Sequence, residues 1–344
     1  MFDSFKTFKP MNRDPRATLP KRLFDLDYRA PLWLPGGHLQ TIYARSLAQN
    51  YAVPYRRERW QTPDRDFIDL DWLDAVSADG TKLLVLFHGL EGYSKSHYAL
   101  SLMAMAAQHG WRGVVPHFRG CSGEMNRLRR SYHSGDSREI DWILRRLKHE
   151  NPGSKLYAVG VSLGGNMLLK WLGEEGTAAD AVIERAAAVS TPLDLVAAAN
   201  QLDRGLHRFI YTNYFLKYLR PKALAKITAH ELPFDARALR ASRTFRQFDD
   251  LFTAPIHGFK DAVDYWTRSS CKPWLKEIKL PTLLVNARND PFLPASALPG
   301  ADEVSGSVTM NFPLEGGHVG FVTGGFPGRL DWLPWRIFSF FDER

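Results

Sequence analysis

The residues with the clearest chemical potential lie around Ser162, in the pentapeptide Gly-Val-Ser-Leu-Gly at 160–164. An apolar run at 155–160 precedes this pentapeptide and an apolar stretch at 166–171 follows it, so we predict a turn from a buried strand to a helix. Glycines two positions before and after the serine permit the tight, strained turn that leaves its hydroxyl exposed. The positive end of the following helix favours developing negative charge. This setting predicts a serine that attacks a carbonyl carbon.

A serine hydroxyl is a weak nucleophile until a base takes its proton, and histidine suits that task near neutral pH. Of the eleven histidines we predict His318, because it follows the apolar segment 308–312 in a Gly-Gly-His turn that lets its ring reach the serine. A carboxylate must orient that ring, and Asp290 lies on the loop after the apolar segment 281–287. Asp194 is the weaker alternative, because no strand precedes it in the right place.

Attack on a carbonyl group also requires donors for the oxyanion of the tetrahedral intermediate. The backbone N–H of Leu163, directly after the serine, is one predicted donor. The second is expected in the loop His-Gly-Leu-Glu-Gly at 88–92, where we predict the N–H of Leu90, with Glu91 as the alternative. His88 is expected to brace this loop rather than to react.

These residues need a scaffold that gathers the ends of several strands at one edge. Apolar runs alternate with helical patterns, which predicts an α/β fold with a doubly wound, mostly parallel sheet. The predicted buried strands are residues 82–87, 113–116, 155–160, 186–190, 281–287 and 308–312, and the predicted helices include 96–109, 136–149 and one after Gly37. Alternating apolar and acidic residues at 67–73 predict a half-exposed strand.

A single domain with one insertion is the predicted organisation of the chain. Its core comprises about residues 30–191 and 277–344. Residues 192–276 separate two strands and are rich in Arg, Lys, Phe and Tyr, which predicts a helical cap over the C-terminal edge of the sheet. Residues 1–30 are charged and contain three prolines, which predicts an irregular N-terminal arm.

Several other side chains are candidates for secondary roles. His133 is a candidate for substrate contact, Ser134 or Asp136 for capping the next helix, and His38 for approach to the pocket. Cys121 is expected to be a packed thiol rather than a second nucleophile. The aromatic residues Phe209, Tyr211, Tyr214, Phe215 and Tyr218 are predicted to pack inside the cap, with an acyl-binding wall as the alternative.

The composition limits the classes of protein to consider. An apolar fraction of 44% suits a soluble globular protein, and the net charge of +8 indicates a basic surface, an anionic substrate or an anionic lipid surface. No nucleic-acid-binding motif accompanies this charge. The two cysteines form no disulfide or zinc pattern, and we find neither a secretory leader nor an apolar run long enough to span a membrane. A cytoplasmic protein, with peripheral membrane contact as an open alternative, is the simplest expectation.

The motifs also resemble a known family. The chain is similar to the α/β-hydrolase superfamily and, within it, to the YheT-like (AB hydrolase 4) branch related to the ABHD1/ABHD3-type lipid hydrolases. The matching segments are PGGHLQT at 35–41, FHGLEG at 87–92, HFRGCSGE at 117–124, SYHSGDSRE at 131–139, GVSLGGNMLLKWLGEEG at 160–176, ARNDPF at 287–292 and GGHVGF at 316–321.

The resemblance implies an α/β-hydrolase fold with a helical cap insertion and a triad on Ser162, Asp290 and His318. The expected activity is hydrolysis of carboxylic esters, either of short or medium acyl chains or of a glycerolipid, through an acyl-enzyme and without a metal or organic cofactor. A hydrolase fold without catalytic activity, used for binding at an anionic membrane surface, is the alternative. The oligomeric state is not predicted.

Overall fold

A computed structural model describes residues 28–46, 51–74 and 81–343. The arm predicted at residues 1–30 therefore lies almost entirely outside the described residues. Among the described residues, no helix is both long enough and apolar enough to cross a membrane.

An eight-stranded sheet forms the centre of the molecule, in the order β1-β2-β4-β3-β5-β6-β7-β8. The strands β3 to β8 run parallel to one another, whereas β2 pairs antiparallel with both β1 and β4. The strands are β1 (Arg56–Gln61), β2 (Phe67–Leu73), β3 (Lys82–Phe87), β4 (Arg112–Pro116), β5 (Lys155–Val161), β6 (Arg185–Val189), β7 (Thr282–Val285) and β8 (Val308–Asn311). The prediction of a mostly parallel α/β sheet is confirmed.

Helices cover both faces of this sheet. Helix α1 (Gly37–Ser46) begins at the predicted glycine, and α2 (His97–Gln108), α3 (Ser137–Glu150), α4 (Leu163–Glu175) and the C-terminal α12 (Trp332–Asp342) flank the strands. Leu83 and Val85 of β3 pack in the same apolar cluster as residues of α3 and α4, whereas Leu84 and Leu86 pack with residues of α2 and α12. This alternation explains the continuous apolar run of β3, because a parallel strand between two helical layers is buried on both faces.

The chain between β6 and β7 is helical, and we call helices α5 to α11 the cap. They are α5 (Leu195–Leu202), α6 (Gly205–His207), α7 (Asn213–Ala229), α8 (Ala236–Ala241), α9 (Phe245–Phe248), α10 (Ala254–His257) and α11 (Ala262–Ser269). Short π-helical turns at Arg208–Thr212 and Asp249–Thr253 join α6 to α7 and α9 to α10. The cap contacts the core through an ion pair between Lys222 and Glu91 and a hydrogen bond from the Tyr265 hydroxyl to Ser134 Oγ.

The half-exposed strand predicted at 67–73 is wrong in one respect: all seven residues of β2 are buried. The acidic residues of the alternating pattern lie opposite arginines of β1, in the register Arg57–Asp71 and Arg59–Asp69. Each arginine Nε donates to its carboxylate at 2.7 Å. Cross-strand pairs of opposite charge stabilise antiparallel strands, so this acidic face is covered by β1 rather than exposed to solvent.

The capping prediction for α3 is also wrong. Asp136 occupies the N-cap position, but its side chain accepts no hydrogen bond from the helix. Its carboxylate instead binds the Arg130 guanidinium, and Ser134 Oγ accepts from the Tyr265 hydroxyl of the cap. Both side chains therefore take part in tertiary contacts that a helix-start signal does not indicate.

Candidate active site

Ser162 occupies the turn between β5 and α4 with a φ of 54°, in the left-handed region that non-glycine residues rarely adopt. The flanking glycines make this turn sterically feasible. A Cβ atom at Gly160 would lie 2.5 Å from the Gly164 carbonyl oxygen, and one at Gly164 would lie 2.4 Å from the Phe87 carbonyl oxygen. The strained turn presents the serine at the C-terminal edge of the sheet, where the other candidate residues also lie.

The structure brings the three predicted triad side chains together. The Ser162 hydroxyl lies 3.0 Å from Nε2 of His318, and Nδ1 of His318 lies 2.9 Å from Oδ2 of Asp290. Asp290 follows β7 and His318 follows β8, and both are buried. The second carboxylate oxygen of Asp290 accepts a hydrogen bond from the Phe292 N–H at 2.8 Å. This geometry orients an imidazole between a hydroxyl and a carboxylate, as general-base activation of a serine requires.

Two polar residues of α1 hold the loop that carries the histidine. Gln40 Oε1 accepts from the Gly316 N–H at 2.8 Å, and Thr41 Oγ1 accepts from the His318 N–H at 2.8 Å. On the other side, Ser190 Oγ accepts from the Val319 N–H at 2.9 Å. Sequence reasoning missed these positioning residues, although the family-specific segment at 35–41 contains the first two. The available signal was this pair of adjacent polar residues, which stands between apolar residues of one helix.

The two predicted oxyanion donors belong to segments that adjoin the serine. Leu163 begins α4, and Leu90 lines the same cavity as Ser162. The loop of Leu90 approaches the nucleophile closely, since a Cβ atom at Gly89 would lie 3.2 Å from the Ser162 Cβ. The alternative donor, Glu91, already directs its N–H to the Tyr132 hydroxyl at 3.1 Å, which favours Leu90.

His88 braces the loop that contains Leu90, as expected from the sequence. Its ring is fully buried, with Nε2 accepting from the Phe118 N–H at 3.0 Å and Nδ1 lying 2.8 Å from the Gly89 carbonyl oxygen. Burial, reinforced by the nearby His117, lowers the pKa of His88 to about 3, so the ring stays neutral and ties the loop to the chain after β4.

A cavity of about 570 Å³ opens in front of Ser162, between the cap and the sheet edge. Its apolar lining comes largely from the cap and includes Leu195, Ala199, Leu202, Phe215, Phe245 and Trp266. Its polar lining comes from both sides, with Arg119 and His133 from the core and Lys222, Lys226 and His257 from the cap. A nucleophile at the base of a largely apolar cavity suits a substrate with an apolar group next to the reacting carbonyl.

The aromatic cluster predicted within the cap has divided roles. Phe215 lines the cavity, and Tyr211 is buried with its ring 4.7 Å from that of Phe292. Tyr214 contacts Arg45 of α1, whereas Phe209 and Tyr218 are exposed. Neither a purely internal cluster nor a complete acyl-binding wall describes these residues.

The remaining candidates are placed as follows. Cys121 lines the cavity, and burial raises the pKa of its thiol to about 12, which keeps it protonated. His133 also lines the cavity. The His38 ring contacts the Tyr211 hydroxyl at 2.9 Å. The rival acid Asp194 accepts from the Ala197 N–H and thereby caps α5.

The buried carboxyl of Asp249, which lines the cavity, is expected to make the stability of the folded protein depend on pH. Burial raises the pKa of its carboxyl from 3.8 to about 7, although Oδ2 accepts from the Trp266 indole N–H at 2.8 Å. As the pH rises from about 4 to 7, unfolded chains release this proton while the folded protein retains it, so the folded state loses stability. Asp249→Asn is expected to raise the free energy of unfolding at pH 8 by roughly 1–4 kcal/mol.

Urea denaturation at pH 4 and pH 8 measures this effect. Asp180→Asn, at an exposed position outside the cap, is the control. The gain from Asp249→Asn should be larger at pH 8 than at pH 4. An equal gain at both pH values would contradict this account, because it would show that folding does not raise the pKa of the Asp249 carboxyl.

Comparison with known proteins places this site in context. Residues 82–325 match the family model described as alpha/beta hydrolase fold. The chain is 41% identical to the YheT protein of Escherichia coli (strain K12), a candidate esterase, over 87% of this chain and 88% of that protein. It is 28% identical to phospholipase ABHD3 of Mus musculus, over 91% of this chain and 77% of that protein.

Solved structures show the same fold at low sequence identity. Esterase Pf2001 of Pyrococcus furiosus superposes with a TM-score of 0.54 and 14% identity, over 86% of this chain and 95% of that chain. At this identity the likeness shows the fold alone.

Proposed function

The chain belongs to the α/β-hydrolase family, in its YheT-like branch, and we propose that it hydrolyses carboxylic esters with Ser162 as nucleophile, His318 as base and Asp290 as acid. The observation that carries this proposal is the 3.0 Å contact between the Ser162 hydroxyl and Nε2 of His318 at the base of an apolar cavity. The esterase and phospholipase names of the relatives support the same class of reaction.

The proposed reaction passes through an acyl-enzyme. Oγ of Ser162 attacks the ester carbonyl carbon while Nε2 of His318 takes the hydroxyl proton, and the backbone N–H groups of Leu90 and Leu163 stabilise the oxyanion. The C–O bond then breaks, and His318 gives its proton to the departing alcohol. Water attacks the acyl-enzyme in the same manner, and the carboxylic acid leaves as the serine recovers its proton.

The apolar part of the cavity supports an acyl group of short or medium length, or the acyl chain of a glycerolipid, as substrate. Leu195 and Ala199 of α5 and Phe215 of α7 bring apolar surface close to the candidate nucleophile. Each buried methylene contributes about 0.8 kcal/mol to transfer from water, so catalytic efficiency should rise with chain length until the cavity is filled.

Filling the cavity should shorten the preferred acyl chain. Ala199 is buried and lines the cavity, so Ala199→Trp is expected to lower kcat/KM for p-nitrophenyl octanoate at least about tenfold relative to p-nitrophenyl acetate. The change penalises only those substrates whose chain needs the occupied space. Asn200→Trp, at the next and exposed position of α5, is the matched control and should leave the ratio unchanged. A uniform loss on both esters by Ala199→Trp would instead indicate damage to the fold.

The proposed function is tested first on the unaltered protein, with a series of p-nitrophenyl esters from acetate to dodecanoate. We expect turnover of at least one member, with a maximum that reflects the apolar cavity. Absence of turnover across the series, together with absence of hydrolysis of monoacylglycerol and phospholipid, would favour the non-catalytic binding protein.

A further inference from the structure

An apolar surface lies on the outside of the molecule, formed by residues of α1 and by residues of α6 and the π-helical turn Arg208–Thr212, which precede the long cap helix α7. Leu39 and Ile42 of α1 are 52% and 40% exposed, and Leu206 and Phe209 are 59% and 64% exposed. Each pair is spaced three residues apart and so lies on one face of its helix. We call these four residues the docking face. Large exposed apolar patches on a protein surface commonly mark an interaction site.

The two helical segments of the docking face lie side by side. The His38 ring contacts the Tyr211 hydroxyl at 2.9 Å, and its centroid lies 5.0 Å from that of His207. Further along, the Arg45 guanidinium lies 4.0 Å from the centre of the Tyr214 ring. These contacts show that the helix with Leu39 and Ile42 lies against the segment with Leu206 and Phe209, and from this we infer that the two exposed apolar pairs contribute to one surface.

Apolar exposure continues beyond α1. The Trp33 ring packs against Tyr43 of α1 at 5.0 Å and against Phe326 at 5.5 Å. Phe326 is itself 78% exposed, on a loop that contains three glycines. An exposed aromatic ring at a loop tip beside an apolar helix face is suited to insertion among lipid chains near the headgroup level.

The charged residues within the two segments that form the docking face have one sign. Residues 204–229 contain six lysines and arginines and no acidic residue, and α1 contains Arg45 and no acidic residue. Arg45, Arg204 and Lys217 are exposed, and Arg208 is half-buried. Cations around exposed apolar residues attract an anionic lipid surface, with about 1 kcal/mol for each cation near it. A second copy of the same face would bring like charges together, which disfavours a symmetric dimer.

The docking face also borders the candidate active site. Tyr211, whose hydroxyl contacts His38 of α1, packs against Phe292, whose ring stacks on the His318 imidazole at a centroid distance of 3.8 Å. Thr41 of α1 holds the His318 backbone. A lipid surface bound here would therefore lie beside the residues that frame the cavity.

We propose that the docking face binds the surface of an anionic membrane. Leu206 and Phe209 supply the apolar contact, and Arg204 and Lys217 supply the attraction to lipid phosphates. This inference concerns binding and does not depend on the proposed catalysis.

Sedimentation with vesicles tests the proposal on the whole 344-residue chain. Phosphatidylcholine vesicles containing 30% phosphatidylglycerol are the probe, and pure phosphatidylcholine vesicles are the comparison. We expect binding to the anionic vesicles that weakens as salt rises, and weaker binding to the neutral vesicles. The double variant Leu206→Ser/Phe209→Ser is expected to bind anionic vesicles at least about tenfold more weakly.

Two double variants that each remove two positive charges distinguish the effect of cations at the docking face from the effect of the net charge of the protein. Arg204→Gln/Lys217→Gln should weaken binding about tenfold, whereas Lys276→Gln/Lys279→Gln, which removes two exposed cations before β7 at the opposite edge of the sheet, should leave binding nearly unchanged. Equal losses in the two variants would overturn the assignment to this face.

Turnover of a water-soluble ester checks the fold independently, since Leu206 and Phe209 do not line the cavity. Unchanged turnover with lost vesicle binding supports the proposal. Unchanged vesicle binding by Leu206→Ser/Phe209→Ser, or no binding by the parent protein, overturns it. A concentration-dependent dimer that Leu206→Ser/Phe209→Ser abolishes, without vesicle binding, would assign the face to a second copy and also overturn it.

Discussion

Replacing Ser162 with alanine is expected to lower kcat for ester hydrolysis by a factor of about 10⁴–10⁶ and to leave the fold intact. The change removes the oxygen that lies 3.0 Å from Nε2 of His318. The turn remains, because Gly160 and Gly164, which permit it, are unchanged. Initial rates on p-nitrophenyl butyrate, with a thermal melt of the same preparation, measure both parts of this prediction.

Ser242→Ala is the matched control for this substitution. Ser242 is a buried serine between helices α8 and α9 of the cap. Its hydroxyl donates to the Leu239 carbonyl oxygen and not to a residue of the triad. Its loss should change kcat by less than a few-fold. Retention of most activity by Ser162→Ala would exclude Ser162 as the nucleophile, even if Ser242→Ala behaved as expected.

The second large effect is expected from Asp290→Asn, which should lower kcat about 10⁴-fold. The Phe292 N–H already donates to Oδ1 of Asp290 at 2.8 Å, so the amide oxygen of the new asparagine should remain there. Its NH₂ group then faces Nδ1 of His318, which must accept rather than donate. The imidazole proton moves to Nε2, the atom that has to take the proton of Ser162.

Asp194→Asn distinguishes this orienting role from a general loss of negative charge. Asp194 caps α5 through the Ala197 N–H, and asparagine caps a helix about as well as aspartate. We expect this variant to keep nearly full activity and stability. If Asp194→Asn abolished activity and Asp290→Asn did not, the acid of the triad would be misassigned.

The sequence indicates that the three candidate side chains meet, because each of them follows a strand, either at once or on the loop after it. Ser162, Asp290 and His318 follow β5, β7 and β8, and the ends of parallel strands meet at one edge of a sheet. The order of the strands in the sheet is not needed for this inference. Local patterns around each residue therefore carry most of the information about the triad.

Contacts between distant segments account for what the sequence does not predict. The acidic residues of β2 look solvent-exposed until β1 brings Arg57 and Arg59 against them. Gln40 supports the histidine loop across 276 positions of sequence. The roles of the cap aromatics likewise depend on which faces of α7 lie against the core, and helical spacing alone does not determine this.

Labelling with a fluorophosphonate probe tests the central claim most directly, because such a probe phosphonylates a serine only when an adjacent base activates it. We predict one covalent adduct per chain, located by mass spectrometry on the peptide that contains Ser162, absent from Ser162→Ala and strongly slowed in Asp290→Asn. A folded parent protein that takes up no probe at Ser162, or an adduct that persists at the same level in Ser162→Ala, would contradict the account.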